Sequence, residues 1–126
     1  DLENGYVTIV RRDTLEKIQV TVDDAAIKIN ELLINIQNDM YEKAKERRDS
    51  MLYEAKDYNE MTELSKKPGF IYTNWCGNVD CENKIKDDLG LKSRCIPFDN
   101  NEPDGNKKCV CCGNDATTKI YWAKQY

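Results

Sequence analysis

Polar and apolar positions change their period several times along this chain, and each change marks an element. From Tyr6 to Val10, and again over residues 18–20, β-branched and aromatic residues alternate with polar ones as in half-buried strands, with Asp13 and Thr14 suited to the turn between them. Two strands do not make a stable sheet alone, so this end is expected to be the edge of a larger domain, with Arg11 and Arg12 as solvated strand-end charges. At Thr21 the period becomes helical. Thr21 is the expected N-cap, Asp23 and Asp24 oppose the positive end of the helix dipole, and Ile29, Leu32, Leu33, Ile36, Met40 and Ala44 form an apolar stripe. Met51 and Ala55 prolong that stripe to about nine turns. The opposite face carries Glu42, Lys43, Lys45, Glu46, Arg47 and Arg48, which reads as a solvated surface rather than an RNA contact. A long helix of this kind is a connector that must pack on something.

Asp57 opens a fresh cap for a short helix ending near Leu64, and Lys67-Pro68-Gly69 breaks it. Phe70, Ile71, Tyr72 and Trp75 form a strand whose aromatics are expected to pack in the core and around a cysteine site rather than to stack on bases. Residues 81–89 suit a helix ended by Gly90, residues 94–98 a strand, residues 99–108 a polar loop and residues 117–123 a last strand. The fold class is therefore α+β: a two-strand edge of an α/β domain over residues 1–20, connecting helices over 21–66, and a small cysteine-rich α+β domain over 67–126.

All six cysteines fall between Cys76 and Cys112, and the chain contains no histidine. Cys76 and Cys81 make one close pair; Cys109, Cys111 and Cys112 make a second cluster followed by Gly113. Structural zinc takes four thiolate or imidazole ligands from two such pairs, and a glycine just after a ligand lets the turn close. Cys76, Cys81, Cys109 and Cys112 are the expected zinc ligands, with Cys111 competing for the fourth place. Cys95 lies in an apolar strand and is expected to be a buried small hydrophobe, not a ligand. Six cysteines also permit a disulfide framework, with 15 pairings, but no secretion signal accompanies them. A thioredoxin-like dithiol would sit at the start of a helix after a buried strand, whereas Cys109-Val110-Cys111-Cys112 follows a loop. A closed thiolate set leaves no open position for catalysis, and no phosphate-binding glycine loop or nucleophile elbow occurs in the chain.

Charged residues make up 33% of the chain, and the net charge of -4 argues against broad electrostatic capture of nucleic acid. No apolar run approaches the ~20 residues that span a bilayer, so a cytoplasmic location without membrane contact is expected. The first residue is Asp1 rather than Met, as in a fragment of something longer.

Several of these stretches together resemble a known family. Gly69-Phe70-Ile71, Trp75-Cys76-Gly77, Cys81-Glu82, Arg94-Cys95-Ile96-Pro97-Phe98, the segment from Cys109 to Gly113 and the ending Tyr121-Trp122-Ala123-Lys124-Gln125-Tyr126 are similar in order and spacing to the C-terminal zinc-binding domain of prolyl-tRNA synthetase of the archaeal and eukaryotic type. The opening Asp1-Leu2-Glu3-Asn4-Gly5-Tyr6 and Arg11-Arg12-Asp13 resemble the end of that enzyme's anticodon-binding domain. The resemblance implies a parent that is a homodimeric class II synthetase attaching proline to its tRNA, with ATP and Mg2+ held in a catalytic domain outside these residues. It implies zinc at Cys76, Cys81, Cys109 and Cys112, contacts with the parent's own catalytic and anticodon-binding domains, and a terminal Tyr126 that supports the active site. A freestanding zinc-binding interaction module without enzymatic activity, or a small redox protein, would be the alternatives.

Overall fold

The computed structural model describes residues 4–125, in two compact units that divide between Arg48 and Asp49. In the N-terminal unit, β1 (Tyr6–Val10) and β2 (Lys17–Thr21) pair antiparallel, from Tyr6 opposite Thr21 to Val10 opposite Lys17. The tight end of the hairpin is closed by the Leu15 N–H donating to the Arg11 carbonyl at 2.8 Å and the Arg11 N–H to that of Glu16 at 2.9 Å. Helix α1 (Ala25–Asp49) follows.

Thr21 makes the bond expected of a cap, but across the turn that precedes α1. It ends β2, and its hydroxyl accepts the Asp24 N–H at 3.2 Å, while the Asp24 carbonyl takes the first helical bond from Lys28. Thr21 pairs with Tyr6 in extended conformation, and residues 22–24 form the turn between β2 and α1. Within α1, Leu32 is the one buried member of the expected apolar stripe; Ile29, Leu33 and Met40 are exposed, as are Ile27, Ile34 and Tyr41 on an adjoining line. Arg11 is not solvated either. Its side chain is 9% exposed and grips Asp13 with two bonds, at 3.0 and 2.6 Å, and Asp39 of α1 at 2.7 Å. A planar guanidinium suits such a two-sided grip.

That grip sets an acid limit for the hairpin. Hydrogen bonds from Arg11 hold the Asp13 carboxyl at about 2, below its ordinary 3.8. A depressed carboxylate stabilises the folded form above its unfolded value and stops doing so as pH falls through the folded one. The Arg11–Asp13 contact should therefore persist at pH 5 and be lost between about pH 4 and 2. Nuclear magnetic resonance of the Arg11 Nε–H through an acid titration checks this; an unchanged signal below the lower limit would refute it.

The C-terminal unit is a four-stranded sheet in the order β3-β4-β6-β5, with two helices. Strands β3 (Leu52–Glu54), β4 (Phe70–Trp75), β5 (Leu91–Cys95) and β6 (Thr118–Lys124) alternate with α2 (Tyr58–Leu64) and α3 (Val79–Leu89). The expected helix through Ala55 is overturned here: α1 stops at Asp49, and Leu52, Tyr53 and Glu54 pair parallel with Phe70, Ile71 and Tyr72. Gly69 makes that pairing possible. Its φ is +136°, and a Cβ there would lie 2.3 Å from the Met51 carbonyl oxygen, which accepts the Phe70 N–H at 2.8 Å. Both β3 and α2, grouped by sequence with the connecting helices, thus belong to the same compact unit as the cysteines.

Helix α2 starts where the sequence indicates. Asp57 accepts the Glu60 N–H at 2.9 Å, and the Glu60 carboxylate reaches back to the Lys56 N–H at 2.8 Å. Helix α3 is capped by Asn78 and ended by Gly90 at φ +67°. Around the sheet lies one core of Ala55, Met61, Ile71, Ile85, Leu91, Val110, Ile120 and Trp122. Trp122 is its centre: fully buried, it donates to the Thr73 hydroxyl at 2.9 Å and meets Trp75 edge to face at 6.1 Å.

The strand expected over 94–98 lies three residues earlier. Pairing of β5 with β6 shifts register between Ser93 and Cys95, and Pro97 has no N–H to continue the ladder, so Ile96 and Phe98 are exposed. Phe70 points away from the core at 41% exposure, against the sequence expectation for that aromatic. The polar loop at 99–108 is anchored to the sheet: Tyr72 Oη donates to the Asn100 carbonyl at 2.6 Å, and Asn74 exchanges two bonds with the Asp104 backbone. Beneath it, the Lys119 side chain is 7% exposed, bonded to Asp104 at 2.6 Å and Glu54 at 3.4 Å and lying 4.3 Å from the centre of the Tyr72 ring.

Candidate metal centre

Strand β4 delivers the first sulfur at its end. After Trp75 the chain turns at Cys76 and Gly77, the latter at φ +81°, into Asn78, whose side chain accepts the Asp80 N–H at 2.8 Å and starts α3. Cys81 falls in the first turn of α3, where the positive end of the helix dipole favours a thiolate. The second pair comes from a tight turn between residues 108 and 115, which are bridged antiparallel. Within it the Cys109 N–H donates to the Asn114 carbonyl at 2.7 Å, and the Gly113 N–H to the Cys109 carbonyl at 3.0 Å. Val110 ties this turn to β4 through the Asn74 carbonyl at 3.1 Å and buries its side chain in the core.

The result is convergence of Cys76, Cys81, Cys109 and Cys112, whose four sulfurs all lie within 4.8 Å of one another. Cys76 and Cys81 sulfurs are 3.7 Å apart, those of Cys76 and Cys112 3.8 Å. Four thiolates at the usual zinc–sulfur distance of about 2.3 Å form a tetrahedron with an edge of about 3.8 Å. The donor set therefore fits a four-thiolate metal ion in both chemistry and size.

Burial pushes the Cys76 and Cys81 thiols above the ordinary range, while the Asn114 backbone N–H draws Cys112 below it. Binding a metal ion there displaces protons from the Cys76 and Cys81 thiols. Around the site, Glu82 accepts a short bond from the Ser93 hydroxyl, which ties the start of α3 to β5. Asn114 went unnoticed in the sequence, although its place just after Cys-Gly is the signal that a turn must close there.

A site made of paired thiols with this geometry occurs in many unrelated folds, so the whole chain has to decide the family. The family described as prolyl-tRNA synthetase, C-terminal, matches residues 58–126. The chain belongs to that family.

Curated relatives extend the match. Proline–tRNA ligase of Clostridium novyi (strain NT) is 47% identical over 127 aligned residues, covering 100% of this chain and 26% of that protein. Those of Agathobacter rectalis and Lachnospira eligens are 48% and 44% identical with the same coverage. The chain thus spans about a quarter of the length of the relatives it matches.

The remaining site candidates of this prolyl-tRNA synthetase C-terminal region separate clearly. Cys111 is half-buried and packs against the core, outside the four-sulfur group. Cys95 is exposed rather than buried, because β5 is the sheet's edge strand and ends there. Tyr126 lies outside the described residues. Among the described residues no helix is long and apolar enough to cross a membrane.

Proposed function

We propose that this chain is the C-terminal part of a proline–tRNA ligase, a class II synthetase that activates proline with ATP and Mg2+ and transfers it to its tRNA, working as a cytoplasmic homodimer. The observation that carries this reading is a similarity running through 100% of the chain at 47% and 48% identity to proteins of that name. On this reading the hairpin and α1 complete the parent's anticodon-binding domain. The exposed apolar residues of α1 are consistent with that, since a two-stranded hairpin cannot cover a helix of 25 residues.

Cys76, Cys81, Cys109 and Cys112 would hold one zinc ion, and the ion would supply closure of the fold rather than chemistry. Its support to the parent is mechanical. The cysteine turns hold the C-terminal end of β4 through the Asn74 and Trp75 carbonyls, and β4 pairs along its length with β6, the strand leading to Tyr126. Tyr126, which follows β6 in sequence, would then orient active-site groups of the parent through hydrogen bonds.

The full-length parent should exchange pyrophosphate in the presence of ATP and proline, whereas the 126-residue chain alone should not. Exchange by the parent with a different amino acid and not with proline would overturn the reading. Deleting Tyr126 from the parent should slow proline activation roughly ten- to a hundred-fold, with zinc content and thermal stability unchanged. Unaltered activation kinetics would remove Tyr126 from the active site, and a parallel fall in stability would make it a packing residue.

A further inference from the structure

At the end of the sheet remote from the metal centre, the β3–β4 start and the facing ends of β5 and β6 enclose a cleft of about 430 Å³. Its lining is mostly apolar and includes Pro68, Ile71, Leu91 and Ala123. Three exposed cations stand around it, Lys67, Arg94 and Lys124, and among the described residues no carboxylate lines it. In a chain of net charge -4 this is a local reversal of sign. Phe70 forms one wall, 41% exposed, on the side of β4 that faces away from the core. Arg94 is held in place by donating to the Ala123 carbonyl at 3.2 Å, which occupies one of its five N–H groups.

A concave, mostly apolar cleft with a few converging polar groups is the general form of a ligand site, and 430 Å³ is in the usual size range. Cations without carboxylates select an anion, and an exposed aromatic beside them adds a flat apolar surface. That pairing of charge with a stacking face is how proteins hold single-stranded nucleic acid: phosphates on lysine and arginine, a base on the ring. We propose that this cleft binds an unpaired nucleotide of RNA, with its base against Phe70 and the adjoining phosphates on Lys67, Arg94 and Lys124. The inference rests on the ligase reading for the identity of the RNA, a tRNA, and adds a second contact region on the C-terminal unit.

The test uses the full-length ligase and the tRNA for proline. Replacing Lys67, Arg94 and Lys124 together by alanine should weaken binding at least about ten-fold and lower the slope of log affinity against log salt by about 2, as expected for three single-strand phosphate contacts. Phe70→Ala should weaken binding about five-fold with the slope unchanged, and Phe70→Tyr should restore it. Ultraviolet crosslinking should join the tRNA to the peptide containing Phe70. Proline-dependent pyrophosphate exchange measured without tRNA should stay normal in every variant. Unchanged affinity and slope in the triple variant, or no crosslink at Phe70, would overturn the proposal even if the parent charges tRNA normally. If the parent proves not to be a ligase, that reading fails by itself, and the cleft is judged on the same protein with a single-stranded oligoribonucleotide. Equal binding by parent and triple variant would then reject it.

Discussion

Cys81→Ser should strip the metal from the chain and unfold the C-terminal unit. Cys81 is buried, sits 3.7 Å from the Cys76 sulfur and belongs at once to the four-sulfur group and to α3. Structural zinc sites in small domains contribute about 10–16 kcal/mol of apparent binding free energy, against a total stability of about 5–15 kcal/mol for a typical domain. Loss of a ligand therefore removes a term comparable with the whole. Cys95→Ser is the matched control: its sulfur is exposed and outside the group, so metal content and fold should be retained. Mass-spectrometric metal analysis and circular dichroism on both variants decide the matter. Equal metal loss in the two, or a Cys81→Ser variant that keeps one zinc per chain, would refute the assignment.

The second large effect should come from Trp122→Ala. Among the described residues no other combines complete burial with a position on the inner strand β6, a hydrogen bond to the buried Thr73 and an aromatic contact with Trp75. Truncations of buried tryptophan cost about 3–5 kcal/mol through lost transfer free energy and the remaining cavity. Here the Thr73 hydroxyl also loses its partner inside the core. The variant should lose that much unfolding free energy in a urea titration if it folds at all, with the metal still bound in the folded fraction. Trp122→Phe keeps most of the volume but loses the hydrogen bond and part of the ring, so it should fall between the two. An unfolding free energy for the alanine variant within about 1 kcal/mol of the unaltered chain would contradict the packing described above.

What could be read from the sequence was set by local chemistry. Asp57, Gly90 and the Cys-x-x-Cys-Gly turn act within a few residues of themselves, and each does in space what its type and spacing indicate. Features that depend on distant partners were not legible. Leu52, Tyr53 and Glu54 carry the end of a helical pattern, yet become a strand because β4 offers them a parallel ladder and Gly69 lets the two segments approach. Arg11 looked like a solvated charge because Asp39, its second partner, lies 28 positions away. Lys119 is buried only because the loop at 99–108 folds over the sheet and brings Asp104 to it. The same limit separates Cys111 from Cys112: adjacent in sequence, one turns to the core and the other to the sulfur group.

The order β3-β4-β6-β5 also has a consequence for biosynthesis. Every other strand of this unit is made before residues 118–124, yet β6 occupies the gap between β4 and β5, which do not pair with each other. While the ribosome is still elongating through the loop after Cys95, the nascent unit can form only its β3–α2–β4 segment and helix α3, leaving one edge of β4 and the whole of β5 without hydrogen-bonding partners. Sheet and sulfur cluster are completed late and almost together, since Cys109 and Cys112 precede β6 by only a few residues. A nascent chain arrested before that point presents open strand edges to chaperones and to its neighbours, so the hazard of misassembly is concentrated in the final moments of translation of this unit.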